Sequence, residues 1–391
     1  MEREVMNKMA EEFKISRVSI NKFWTGLKAH INEGKLFNAN RKYLGYQPHL
    51  SIDLEKVRSI PLSKRSTLTK LATHMNLHIS TVTRLVKKGS IRRHSNAIKP
   101  ALTDANKIAR VKWCLGKIVK STLNDGLLFE PMYNVVHIDE KWFLMTKTAQ
   151  NYYLLPDEIE PHRTYKSKRF ITKIMFMAAV ARPVFSSNGS LLFDGKIGIF
   201  HFTYEQAARR QSKNRPKGTM EVKPIESITK VVIKQCLIEK VIPVIKAKWP
   251  EGASKTIYIQ QDNATPHIAG NDTDFLHVAQ ADGFDIRVVC QPSNSPDLNV
   301  LDLGFFRSIQ SLQDEKSPNN ISELLDAVTS AYEEVEPQKL KHVWLSLKYC
   351  MNEILRVKGN NNYKLPHVGK QRLERLGLLP DPSDPNGTVR G

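Results

Sequence analysis

Four cysteines in 391 residues are few, and Cys114, Cys236, Cys290 and Cys350 stand far apart in the chain. No two have the short spacing of a zinc knuckle or ribbon, so the sequence offers no soft-ligand metal site; reduced core thiols of an intracellular protein are expected. Long apolar runs are also lacking: none approaches the roughly 18 residues that a membrane-spanning helix needs. The opening Met-Glu-Arg-Glu has no apolar secretory segment. No membrane partner is therefore expected. Acidic residues are scarce at the front, with 8 Asp/Glu against 25 Lys/Arg in residues 1–120, so that +17 of the net +20 lies there and the rest is nearly neutral.

Hydrophobic residues make up 41% and charged residues 25%, enough for a sizeable core in two or three domains. A pI near 9.7 suits a polyanion, either nucleic acid or an acidic membrane surface. The concentration of charge at the front favours a basic DNA-binding region joined to a separate body.

The front carries helical patterns. In residues 5–28, Val5, Met9 and Phe13 share a face; Ile15-Ser16-Arg17 breaks the helix, with Ser16 as a candidate N-cap; and Ile20, Phe23, Trp24 and Leu27 follow at helical spacing. Gly34 to Pro48 reads as a linker. Ile52, Leu54 and Val57 then suggest a helix. Ser66 is expected to cap a second that buries Leu68, Leu71, Ala72 and Met75; 76–79 make a turn; and Ser80 is expected to cap a third, with Val82, Leu85 and Val86, ended by Gly89. Two helices with a short turn form a helix-turn-helix unit, whose second helix lies in the major groove. Its outward residues, Thr81, Thr83, Arg84, Lys87 and Lys88, suit bases and phosphates, as do Arg17 and Lys22 in the first unit. Arg92 and Arg93, in the run Ile91 to His94, read either as a solvated loop or as a basic strap along the DNA backbone.

Beyond residue 128 strands and helices alternate, which predicts an α/β or α+β domain with a mixed sheet. Strands are expected at 135–138, 152–155, 170–180, 256–260 and 286–289. Helices are expected at 226–248 and 272–281, and from Val300, Ile321 and Pro337. The stretch 186–223, with Arg209, Arg210, Lys213, Arg215 and Lys217, reads as an irregular basic insert, either a solvated loop or an arm that touches DNA or a partner subunit. The last 40 residues, rich in Gly, Asn and Pro, read as a loosely packed tail.

Three acidic segments stand out: His-Ile-Asp139-Glu140-Lys-Trp-Phe, Gln-Asp262-Asn-Ala-Thr-Pro-His267 and Asn-Ser-Pro-Asp297-Leu-Asn-Val-Leu-Asp302. Asp139 and Asp262 are each expected to end an apolar strand, where a sheet presents a side chain without burying its charge. Asp297 fits a turn and helix start. Asp302 lies among Leu301, Leu303, Phe305 and Phe306, where a carboxylate without a partner makes little sense. Such a trio can hold two Mg²⁺ or Mn²⁺ ions, whose hard character suits oxygen ligands. His137 and His267 are read as structural, with an orienting role as the alternative.

These three strings resemble the catalytic blocks of mariner-like transposases, and the 39 residues between Asp262 and Asp302 are similar to the spacing in the plant-type branch. Tyr-Leu-Leu-Pro-Asp-Glu at 153–158, Asp-Gly-Lys-Ile-Gly-Ile-Phe at 194–200 and Asn-Arg-Pro-Lys-Gly-Thr at 214–219 also resemble that branch. The similarity runs over nearly the whole chain. It implies a ribonuclease-H-like catalytic domain behind an all-α tandem helix-turn-helix region. The implied activity is cut-and-paste transposition by metal-dependent strand cleavage and transfer. It further implies Asp139, Asp262 and Asp302 as catalytic metal ligands, two Mg²⁺ or Mn²⁺ ions, and a homodimer on double-stranded DNA that reads terminal inverted repeats and inserts at TA. The insert 186–223 corresponds to a region that extends toward the partner subunit, and 97–104 to a linker that supports the dimer.

The expected organisation is a first helix-turn-helix at 1–33, a linker at 34–50, a second helix-turn-helix at 51–95 and a linker at 96–128. The catalytic domain then spans 129–350 and the tail 351–391. In the family a further helix precedes the one near Val5, so a truncated first unit is expected; Ser293 stands where the family often has proline. The expected location is the nucleus. Two other functions remain open: a domesticated DNA-binding regulator without transposition, and a nuclease that cleaves without strand transfer.

Overall fold

The chain divides into two units, residues 1–97, whose described part is helical, and residues 98–391. The computed structural model describes residues 3–32, 34, 54–93, 98–119, 128–146, 155, 158–159, 162, 171–211, 215–365 and 369–376. The expected linker 34–48 (beyond Gly34), most of the strand 152–155, Lys213, His94 and much of the tail lie outside them.

In the first unit, α1 (Arg3–Glu12) and α2 (Arg17–Asn32) flank the break expected at 15–17. Ser16 caps α2 by accepting from the Ser19 N–H at 3.2 Å. Two helices alone enclose little: Ile20 is buried, while Val5, Phe13 and Phe23 are exposed. Next come α3 (Leu54–Ser59), a short 3₁₀ turn (Leu62–Arg65), α4 (Leu68–Met75) and α5 (Ile79–Lys87). Leu71, Ala72, Met75 and Val82 close a small core with Ile60. Both expected caps move. Thr67, not Ser66, caps α4 by accepting from Lys70 N–H, and His78, not Ser80, caps α5 through Nδ1. Starting α4 after Thr67 leaves Leu68 at its outer edge, exposed rather than buried.

The second unit opens with α6 (Asp104–Leu115), where a linker was expected. Then come the paired short strands β1 (Ile118–Val119) and β2 (Leu128–Phe129), and the long strands β3 (Val135–Leu144) and β4 (Lys173–Ala181). The expected irregular insert is largely folded: β5 (Val184–Phe185) pairs with β6 (Leu191–Phe193), β7 (Lys196–His201) joins the main sheet, and β8 (Thr203–Ala207) with β9 (Met220–Pro224) forms a hairpin. Lys196 misleads on the page. It is buried, and its Nζ donates to the Glu333 carbonyl at 2.6 Å.

The helix expected at 226–248 is α7 (Lys230–Cys236), one π turn (Leu237–Val241) and α8 (Ile242–Lys248). Pro243 has no N–H to continue an α ladder, and the bulge precedes it. The chain continues through β10 (Thr256–Gln261), α9 (Thr273–Ala279), β11 (Asp285–Cys290), a 3₁₀ turn (Pro296–Leu298) and a π turn (Leu301–Phe305). It closes with α10 (Phe306–Lys316), α11 (Ile321–Glu334), α12 (Pro337–Arg356) and α13 (Lys370–Arg375).

The main sheet has the order β11-β10-β3-β4-β7. β3, β10 and β11 are parallel, and β4 runs against both β3 and β7. That is the mixed sheet of the ribonuclease-H-like fold. Alternate β4 residues serve opposite faces: Ile174, Phe176, Ala178 and Val180 pack with α10, α11 and α12, and Met177, Ala179 and Ala181 with α7, α8 and α9. Cover on both faces explains the nearly continuous apolar β4.

The start of the expected loose tail is firmly held. Arg110 of α6, fully buried, donates both terminal nitrogens to Asp297 at 2.7 Å and its Nε to the Gly359 carbonyl at 2.9 Å. Tyr363 also donates to Asp297, and the Asn361 amide reaches Pro100 O at 2.7 Å. Gly359 has φ +85°, and a Cβ there would overlap the Lys107 backbone. Asp297 does start a helical turn, as expected, but its charge also serves this pair.

Arg110→Met strands the Asp297 carboxylate in a mostly enclosed site, so it should destabilise the protein by about 3–5 kcal/mol. Adding Asp297→Asn should recover part of that loss, and urea unfolding of the two variants checks it.

Candidate active site

Pairing between the adjacent parallel strands β3 and β10 stops at His137 and Gln260. Two residues further on, each strand carries an aspartate: Asp139 and Asp262. The shared offset brings both to the point where the β3–β10 pairing ends and the sheet opens, Asp139 within β3 and Asp262 just after β10. Asp262 follows the last residue of β10, as expected. Asp139 does not end its strand, because β3 continues to Leu144 with β4 as its partner, Asp139 lying opposite Ala178. With β10 absent on that side, the charged Asp139, Glu140 and Lys141 fit a strand that is no longer paired on both edges.

Asp302 reaches the site from the π turn, which contacts β3. Leu301 and Phe305, four residues apart, are buried in the core, and the Asp302 between them stays at the surface. Burial pushes the Asp139 carboxyl far above its usual range, and the nearby Asp302 and Glu140 push it further. Asp302, although its side chain reaches the surface, is raised too, by loss of hydration beside the core first, with its hydrogen bond to Asp139 and the Lys141 charge opposing the shift. A charged Asp302 thus raises the cost of ionising Asp139, and a hydrogen bond between the two accommodates one shared proton.

Asp262 has a different environment. Its Oδ1 accepts from Ala264 N–H and from His267 Nδ1, both at 2.8 Å, and the His267 hydrogen bond holds its pKa low despite burial. His267 Nε2 lies 3.1 Å from Glu140. Burial alone would lower His267, but its bonds to Asp262 and Glu140 outweigh that and raise it to about 11, so it is an imidazolium at neutral pH. His267 was expected to be structural; the structure instead places it between two carboxylates of the site. Its spacing of five residues from Asp262 was the available signal. His137 does behave as expected: fully buried, it is pushed down to about 3 by loss of hydration and stays neutral.

An all-oxygen set with unneutralised charge fits a hard divalent ion at Asp139 and Asp302. Among the described residues, no three His, Cys, Asp or Glu side chains stand together as a complete metal site. Asp262 is turned to His267 through Oδ1, which also accepts from Ala264 N–H.

The sequence-derived DNA contacts fall on the first unit. Arg84, Lys87 and Lys88 are exposed on and just after α5, and Thr81 and Thr83 are half-buried, with the Thr83 hydroxyl donating to Ile79 O at 2.9 Å. Arg17, Lys22, Arg92 and Arg93 are exposed. Among the described residues, no helix is long and apolar enough to cross a membrane.

No family model and no curated protein matches this sequence. Solved structures do. A pre-cleavage Mos1 transpososome matches with a TM-score of 0.54 at 16% identity, covering 92% of this chain and 93% of that one. The mariner Mos1 paired-end complex with Mg gives 0.53 at 18%, covering 90% and 92%. The Mos1 paired-end complex with the left transposon end gives 0.52 at 17%, again covering 90% and 92%. At such identity the likeness is one of fold: this chain has the α/β fold of the Mos1 mariner transposase, a helical N-terminal region followed by a ribonuclease-H-like domain.

Proposed function

We propose that this chain is a mariner-like DNA transposase that binds terminal inverted repeats and cuts and rejoins DNA by metal-dependent phosphoryl transfer. The observation that supports the reading is the nearness of Asp139, two residues past the last β3–β10 pair, to Asp262 just after β10, with the charges of Asp302 and Asp262 felt at Asp139. The fold shared with Mos1 transposase complexes, whose structures include DNA ends and Mg or Mn, supports it.

In this reading Asp139, Asp262 and Asp302 hold two Mg²⁺ or Mn²⁺ ions. Such ions, when bound, activate the attacking water or 3′-hydroxyl and stabilise the leaving oxygen. Asp139 and Asp302 supply carboxylates whose mutual repulsion a cation relieves. His267 keeps Asp262 ionised and aimed at the site's edge until the carboxylate is needed, and Glu140 holds the imidazolium from its other side. α5 enters the major groove, where Arg84 reads a base and Lys87 and Lys88 bind phosphates, with Thr81 and Thr83 at its face. Arg17, Lys22, Arg92 and Arg93 add backbone contacts. The working form is a homodimer on paired ends, inserting at TA, in the nucleus.

The test uses a labelled duplex carrying the inverted repeat that flanks the gene. The wild type should nick it with Mg²⁺ or Mn²⁺ and not with EDTA. Binding without nicking would instead mark a DNA-binding regulator that has lost transposition, and nicking without joining would mark a nuclease.

Two mutational outcomes follow from this reading. Asp139→Ala and Asp262→Asn should each reduce nicking to background while leaving duplex affinity, measured by gel shift, within about twofold, since neither removes a positive charge from the DNA-binding face. Arg84→Ala should weaken binding of the cognate repeat by roughly 1–3 kcal/mol while changing affinity for unrelated duplex much less; equal loss on both would make Arg84 a phosphate contact.

A further inference from the structure

The side chain of Asn299 is fully buried between the strand that carries Asp139 and the turn that carries Asp302. Its amide orientation is fixed by backbone groups. Leu301 N–H can only donate, and it donates to Asn299 Oδ1 at 3.0 Å; Ile138 C=O can only accept, and it accepts from Asn299 Nδ2 at 3.1 Å. The second Nδ2 hydrogen is left for Asp139 Oδ2, at 3.4 Å. One side chain therefore binds the first turn of the Asp302 segment with its oxygen, and β3 and the Asp139 carboxylate with its nitrogen.

Around it lies a buried polar layer that joins these two segments to β10. His137 of β3 accepts from Val300 N–H at Nδ1, 3.3 Å away. Gln260 of β10, two residues before Asp262, donates to Leu298 O at 2.9 Å and to Gln291 Oε1 at 3.0 Å. Gln291 in turn donates to Ser295 O at 3.2 Å. Polar groups at such depth cost free energy when partners are lost, so these bonds, with only His137 Nε2 in the layer left without one, favour one arrangement of β3, β10 and the 291–302 loop.

We infer that Asn299 is a positioning residue that sets the separation of Asp139 and Asp302, and with it the affinity of the site for divalent cations. The inference rests on the metal-site reading given above. Asn299 is not itself a ligand, because both its polar atoms are committed. Its action is that of an outer-shell partner, which orients a ligating carboxylate and favours its charged form by donating to it.

The experiment titrates Mn²⁺ into the metal-free full chain and follows the free ion by EPR. Asn299→Ala should weaken Mn²⁺ binding about 10- to 100-fold, the usual effect of losing such a partner, with affinity for terminal-repeat duplex in EDTA within about twofold of wild type. Should that variant not fold, Asn299→Ser is the substitute. Its hydroxyl can still accept from Leu301 N–H, as serine does in tight turns, but reaches neither Ile138 nor Asp139, so the same loss is expected. Ile245→Ala, a core truncation in α8 away from the site, should lower the melting temperature and leave Mn²⁺ affinity unchanged. Mn²⁺ affinity within about twofold of wild type in the folded Asn299 variants would overturn the inference while leaving the site reading intact. An equal loss in Ile245→Ala would also overturn it, since the effect would then be one of general stability. A wild type that binds no Mn²⁺ would overturn the site reading itself and the inference with it.

Discussion

Asp139 and Asp302 repel each other, and the surrounding structure holds them together against that repulsion. A carboxylate shielded from water already loses hydration, and a second one close by raises the cost of ionising either. Asp139 is shifted toward its neutral form by both effects; Asp302 is raised by loss of hydration, while its hydrogen bond with Asp139 and the Lys141 charge oppose that shift. Flexible supports would let them separate. The supports here are rigid: the centre of a five-stranded sheet under Asp139, and a π turn pinned by buried Leu301 and Phe305 under Asp302.

The charge of the site is divided unevenly. His267 supplies one positive charge to Asp262 and Glu140, and those two groups are satisfied as they stand. Asp139 takes hydrogen bonds from Glu140 N–H at 2.8 Å and from the Asn299 amide, and Asp302 is eased by the charge of Lys141.

The three aspartates were legible because two of them follow short apolar runs and the third interrupts one. The parallel pairing that puts Asp139 beside Asp262 was not, since strand partners more than a hundred residues apart leave no local trace. The extent of β3 was misjudged because Asp139-Glu140-Lys141 reads as the end of a strand; only the loss of β10 as a neighbour makes those charges acceptable within one. In 186–223 the density of Lys and Arg concealed β7, whose Lys196 is buried and paired. The helix α6 read as a linker because its one fully buried long side chain is an arginine. Caps shifted by one or two residues, since Ser, Thr and His near a helix start offer similar acceptors and tertiary packing selects among them.

Arg110 also bears on how the loop from 291 to 302 is kept in register. That loop is tied at its start through Gln291 and Gln260, at its end through Asn299, and midway through Asp297, which Arg110 grips with two parallel hydrogen bonds. A buried ion pair adds little net stability over well-packed apolar side chains, because desolvation offsets most of the attraction. What a forked, planar guanidinium adds is geometry: it accepts the carboxylate in one orientation, whereas an apolar contact would tolerate sliding. Arg110 further binds Gly359 O, where backbone lies against backbone too closely for any side chain, so α6 and the segment after α12 are locked to the same point. A displacement of α6 would thus be felt at Asp297, five residues before Asp302. The first helix of the C-terminal unit is in this way mechanically joined to the turn that presents the third carboxylate.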